Sequence, residues 1–144
     1  MSKLAFLAAA LVLASAAAHA QVTVDKPWVR TTVARQTTTG AFMTITSAKG
    51  GRLVAASSPV AASVEVHEMK MDGNLMKMRP VDALPLPAGK PVELRAGAYH
   101  MMLMGLKAPV KFGDVVPIQL VVEDAQGKRE TVDVKATARL VLQN

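Results

Sequence analysis

Cysteine is absent from all 144 residues. No disulfide can therefore staple the fold, and thiolate nucleophiles and cysteine-ligated blue-copper electron-transfer centres are excluded. Aromatic residues make up only 3% of the chain, and beyond residue 20 they are Trp28, Phe42, Tyr99 and Phe112. Without stacking rings, and with its lysines and arginines scattered singly, the chain lacks the equipment of a nucleic-acid binder. There is no G-x-S-x-G elbow and no evident acid pair, so no enzyme activity is expected. No acidic cluster suits Ca²⁺ or Mg²⁺. After the N-terminal stretch no apolar run approaches spanning length, and membrane insertion is not expected.

The first twenty residues differ from the rest. Lys3 precedes an apolar run from Leu4 to about Ala14, and Ala18-His19-Ala20 forms a small-x-small cleavage site before Gln21. This is the pattern of a secretory signal peptide, so residues 1–20 are expected to be removed and residues 21–144 to form the mature, periplasmic domain. With no cysteine after the apolar run, a lipid-bearing cysteine is excluded. The formal net charge of +6 falls by one without Lys3. That is a mildly basic, solvated surface.

From Gln21 onward the apolar pattern has period two, with no sustained 3.6-residue period. Strands are expected at Val22–Val24, Trp28–Thr32, Gly40–Thr46, Arg52–Ser57, Ser63–Met71, Leu75–Arg79, Pro91–Leu94, Tyr99–Gly105, Val115–Glu123 and Lys128–Ala136. Turn signals such as Lys49-Gly50-Gly51, Asp72-Gly73 and Ala125-Gln126-Gly127 separate them. The expectation is a single-domain, all-β antiparallel sandwich or barrel. Pro117 predicts an edge position or a bulge. Four of the eight prolines, Pro80, Pro85, Pro87 and Pro91, predict a stiff unpaired crossing over Arg79–Pro91.

What the chain has instead of cysteine is a concentration of softer donors. Seven of its nine methionines, and both histidines outside the signal peptide, lie between His67 and Met104. Thioether sulfur favours Cu(I) and neutral imidazole suits copper, whereas zinc would prefer thiolate or carboxylate. A two-residue loop at Asp72-Gly73 would place His67 opposite Met78 and Met69 opposite Met76, all on one face with Met71. A three-residue turn would move Met78 to the other face. His100 and Met102 share a strand face by period two, with Met104 continuing the row. The candidate ligands are therefore His67, Met78, His100 and Met102, with Met69, Met71 and Met104 as rim or auxiliary positions. For each methionine, plain core filling is the competing reading.

The spacing from His67 to Met78, and on to His100-Met101-Met102, resembles the H-x10-M-x21-H-x-M pattern of the periplasmic CuA-chaperone family, PCu(A)C. The similarity extends to Trp28-Val29-Arg30, Ala56-Ser57-Ser58-Pro59-Val60-Ala61, Met78-Arg79-Pro80-Val81 and Tyr99-His100-Met101-Met102-Leu103-Met104-Gly105-Leu106. Such a resemblance implies a cupredoxin-like fold and one Cu(I) per chain, bound by His67, Met78, His100 and Met102. It also implies a role in supplying copper to cytochrome c oxidase, particularly its CuA centre, with an oxidase subunit or another copper-accepting assembly protein as partner and the chaperone as a monomer. Where the family often has Pro-Gly-Gly, this chain has Arg95-Ala96-Gly97-Ala98. It also ends without the His- and Met-rich tail of some members, so a single site is expected. Copper storage or resistance is the nearest rival function. A structural envelope module with a methionine-rich core is the rival from a different class.

Overall fold

The computed structural model describes residues 21–141. The expected signal peptide, residues 1–20, and the last three residues lie outside the described residues. Ten strands carry the fold: β1 (Val22–Arg30), β2 (Thr38–Ser47), β3 (Gly51–Ser57), β4 (Ala61–Asp72), β5 (Leu75–Pro80), β6 (Leu84–Leu86), β7 (Val92–Leu94), β8 (His100–Leu106), β9 (Val115–Glu123) and β10 (Arg129–Arg139). Among the described residues none is α-helical, and no helix is long and apolar enough to cross a membrane.

Seven strands run in the order β4-β8-β2-β1-β10-β9-β3, and β3 returns to β4 through Ala56↔Val64. This closes the sheet into a barrel, which removes most of its open edges. Alternation explains the interior. On β9, Val116, Ile118, Leu120 and Val122 point inward, and on β10 Val134, Ala136 and Ala138 do so. On β8 the inward residues are Met101 and Leu103, both fully buried. Met43 is also core. For Met43 and Met101, plain packing is the whole explanation.

Local chemistry modifies the expected architecture in three places. The strands expected at Val22–Val24 and Trp28–Thr32 merge into one, β1, which ends at Arg30 and is interrupted by a bulge at Lys26-Pro27 where Lys26 has φ 49°. β1 pairs with β10 in parallel, the exception in an otherwise antiparallel set. Next, the proline-rich crossing is not wholly unpaired. Leu84–Leu86 forms β6 against β3, with Leu84 and Leu86 buried and Pro85 exposed. A proline tolerates such a position on an outermost strand, where no neighbour needs its missing N–H. Pro117 takes the expected edge position. It faces Lys135 of β10 and falls beyond the last β3–β9 pair, Ser57↔Gln119.

Glu123 ties three strands together. It faces Arg52 of β3 and Arg129 of β10, accepting hydrogen bonds at 3.0 and 3.1 Å. The Arg52 guanidinium first, and Arg129 second, hold its carboxyl below the ordinary value of 4.5. A depressed carboxyl contributes stability that is fully present above its unfolded value and is lost as pH falls through the lower folded value. Glu123→Gln is therefore expected to flatten the decline in stability below pH 4.5, read from urea unfolding across an acid pH series.

Candidate metal centre

The hairpin β4–β5 turns on Gly73-Asn74, not Asp72-Gly73. Asp72 pairs with Leu75, Met71 with Met76, Met69 with Met78 and His67 with Pro80. Gly73 has φ 63°, the left-handed conformation that a type II′ loop asks of its first residue and that glycine adopts freely. The Asp-Gly reading selects the type I′ alternative, one position earlier. Moving the turn by one residue shifts every pair by two, which preserves the face while changing the neighbour. His67, Met69, Met71, Met76 and Met78 therefore share one side, but Met78 faces Met69 and not His67.

β4 is the organising strand because its two ends have different partners. Ala61–His67 pairs with β8, and His67–Asp72 pairs with β5. His67 belongs to both runs, opposite Pro80 on one side and His100 on the other. Its imidazole and that of His100 have centroids 5.9 Å apart at an interplanar angle of 67°. Both histidines are buried, at 8% and 7% exposure, although they point away from the apolar core face. Met102 lies between Glu65 of β4 and Gly40 of β2. A methyl group on Gly40 would come within 2.8 Å of the Phe42 ring. The bare backbone there makes room for that ring, which also packs on Trp28 at 4.6 Å.

A close approach joins β8 to the hairpin. His100 Nε2 lies 2.8 Å from Met78 Sδ, while His100 Nδ1 donates to the Ala98 carbonyl at 2.8 Å. With its proton on Nδ1, Nε2 offers a lone pair, and the thioether also has no hydrogen to donate. Two lone-pair donors directed at one another are a favourable arrangement only for a cation, and sulfur with imidazole selects a soft one. The loop behind this contact is closed by Arg95 N–H donating to the Tyr99 carbonyl at 2.8 Å, with Gly97 at φ 80°. This sequence therefore forms a compact turn without the Pro-Gly-Gly run, and the Ala98 carbonyl orients His100.

A cleft of ≈ 310 Å³ opens beside these atoms, lined by His100, Met78, Met102, Met69, Phe42 and Arg30 among others. Three of the four nominated ligands thus border one space. His67 does not. Its Nε2 donates to Glu65 Oε2 at 2.8 Å, and its Nδ1 is buried without a partner. Met78 is 51% exposed. Of the rim candidates, Met69 joins the cleft, Met71 lies exposed towards the hairpin tip, and Met104 sits beyond Met102, opposite Ser63 and Thr38. Among the described residues no group of three or more His, Asp or Glu could hold a metal, so a harder ligand set does not compete with the sulfurs. Glu65 and Phe42 escaped the sequence reading. Glu65 was legible by alternation, two positions before His67 and on its face.

The sequence model of the LpqE-like lipoprotein family matches residues 22–136. The chain belongs to that family, among the PCu(A)C copper chaperones. A lipoprotein-named relative, Lxx21020 of Leifsonia xyli subsp. xyli, is 32% identical over 79% of this chain and 69% of its own length. The solution structure of copper(I)-bound DR1885 from Deinococcus radiodurans superposes with a TM-score of 0.64 at 31% identity, covering 88% of this chain and 83% of that one. A copper-bound PCuAC domain from PmoF2, at 20% identity, covers 83% of this chain and 95% of its own, with a TM-score of 0.63. It shares the fold. PCu(A)C members are copper-binding chaperone domains and not enzymes. The lipoprotein relatives point to an envelope-exported protein, although this chain carries no cysteine.

Proposed function

We propose that residues 21–144 form a periplasmic chaperone that carries one Cu(I), held by His67, Met78, His100 and Met102, to the CuA centre of cytochrome c oxidase. The observation that carries this reading is the 2.8 Å approach of His100 Nε2 to Met78 Sδ at the mouth of a cleft shared with Met102. The copper(I)-bound deinococcal relative supports the choice of metal, and the signal-peptide pattern of residues 1–20 supports the compartment.

Copper here is cargo, and the donor set suits cargo. Thioethers need no deprotonation to bind and form no disulfides in an oxidising compartment. Each imidazole must be neutral to bind, so affinity weakens in acid. Met78, half exposed on the outermost strand, is the ligand most accessible to an incoming acceptor. An acceptor thiolate adds to the copper as the thioethers leave, and the metal passes to the stronger cysteine site.

Delivery and storage separate in a deletion strain. Loss of this chain is expected to reduce assembled oxidase under copper limitation, with recovery when copper is added. Intact oxidase together with lowered copper tolerance would establish storage or resistance instead.

A further inference from the structure

The two histidines of the site are held in the same manner but by opposite nitrogens. His100 gives its Nδ1–H to the Ala98 carbonyl and turns Nε2 towards Met78 Sδ. His67 gives its Nε2–H to Glu65 Oε2, and its Nδ1 has no partner. A carboxylate can only accept, so the proton of this contact belongs to Nε2. A neutral imidazole carries one N–H and one lone-pair nitrogen. Nδ1 is therefore the lone-pair nitrogen. Among the described residues only two buried side-chain polar atoms lack a partner, and the other is Arg30 Nε in the adjoining cleft.

We infer that Glu65 is the positioning residue of the copper site, fixing His67 as the Nε2–H tautomer so that Nδ1 is its metal donor. This rests on the Cu(I) reading of the site and deepens it. Metal-binding histidines commonly donate their second N–H to a carboxylate or a backbone carbonyl, which orients the ring and raises its basicity. Both acceptor types occur here, one on each histidine. Glu65 also fits sterically and electrostatically. It faces Met102 across the β4–β8 pair, its side chain is 43% exposed, and its negative charge lies beside a site for a monovalent cation.

The test begins with the metal-free protein. Long-range ¹H–¹⁵N correlation spectra of the imidazoles are expected to show His67 protonated on Nε2 and His100 on Nδ1. Cu(I) affinity is then measured against a chromophoric chelator for wild type, Glu65→Gln and Glu65→Ala. Alanine is expected to weaken binding roughly 10- to 100-fold, the usual cost of losing an outer-sphere partner. Glutamine, whose amide oxygen still accepts from Nε2–H, is expected to retain most of the affinity. A His67 protonated on Nδ1, or equal affinity with and without Glu65, would overturn the role of Glu65 alone. A wild-type chain that takes up no Cu(I) would instead overturn the reading of the site itself.

Discussion

His100→Ala is expected to weaken Cu(I) binding by at least about 100-fold, more than the loss of an outer-sphere partner costs, while Met78→Ala does the same without unfolding the protein. Each change removes one member of the 2.8 Å Nε2–Sδ pair. The thermal behaviour of Met78→Ala is the sharper half. Its side chain is 51% exposed on β5, where every residue is exposed, so truncation leaves no sealed cavity. The stability of the metal-free protein should then change by no more than about 0.5 kcal/mol. A structural module with a methionine-rich core predicts the reverse, a loss of about 2–5 kcal/mol and no stoichiometric copper. Chelator competition and urea unfolding on the same variant decide between them. A Met78→Ala protein that keeps full Cu(I) affinity would sink the assignment.

Met101→Ala is expected to destabilise the fold by about 2–5 kcal/mol while leaving the donor set in place. Met101 lies between His100 and Met102 in the chain but points into the barrel, fully buried and paired with Val66 and Ala41. Deleting its side chain opens a cavity among residues that relax only partly. At a temperature where the variant remains folded, its Cu(I) affinity should match wild type. Urea unfolding and chelator competition on Met101→Ala and Met102→Ala should therefore give opposite outcomes for adjacent methionines. A strongly reduced affinity in folded Met101→Ala would show that the two faces of β8 are not independent.

Much of the site was legible because strand alternation is a local property. Period two alone places His100 with Met102 and separates both from Met101, and it keeps Met78 on the face of His67 for any even turn. The turn itself was misplaced by one residue. Asp72-Gly73 and Gly73-Asn74 are both good loop dipeptides, and the choice depends on which strand ends can pair with the rest of the sheet. The same limitation hid β6. Proline spacing argued against pairing, yet Leu84 and Leu86 have a core to enter, and their burial outweighs the weak ladder.

The amino-acid sequence by itself determined the donor chemistry, the strand faces and the family resemblance. Residue type sets metal preference, and successive side chains on any strand point to opposite sides. Tertiary structure alone decided which donors meet. The β4–β8 pairing brings His67 against His100, the hairpin register sets Met78 beside Met69, and the Glu65 contact assigns the His67 proton. The β4–β8 contact joins strands distant in sequence, and the hairpin register is fixed by how β4 pairs with the rest of the barrel.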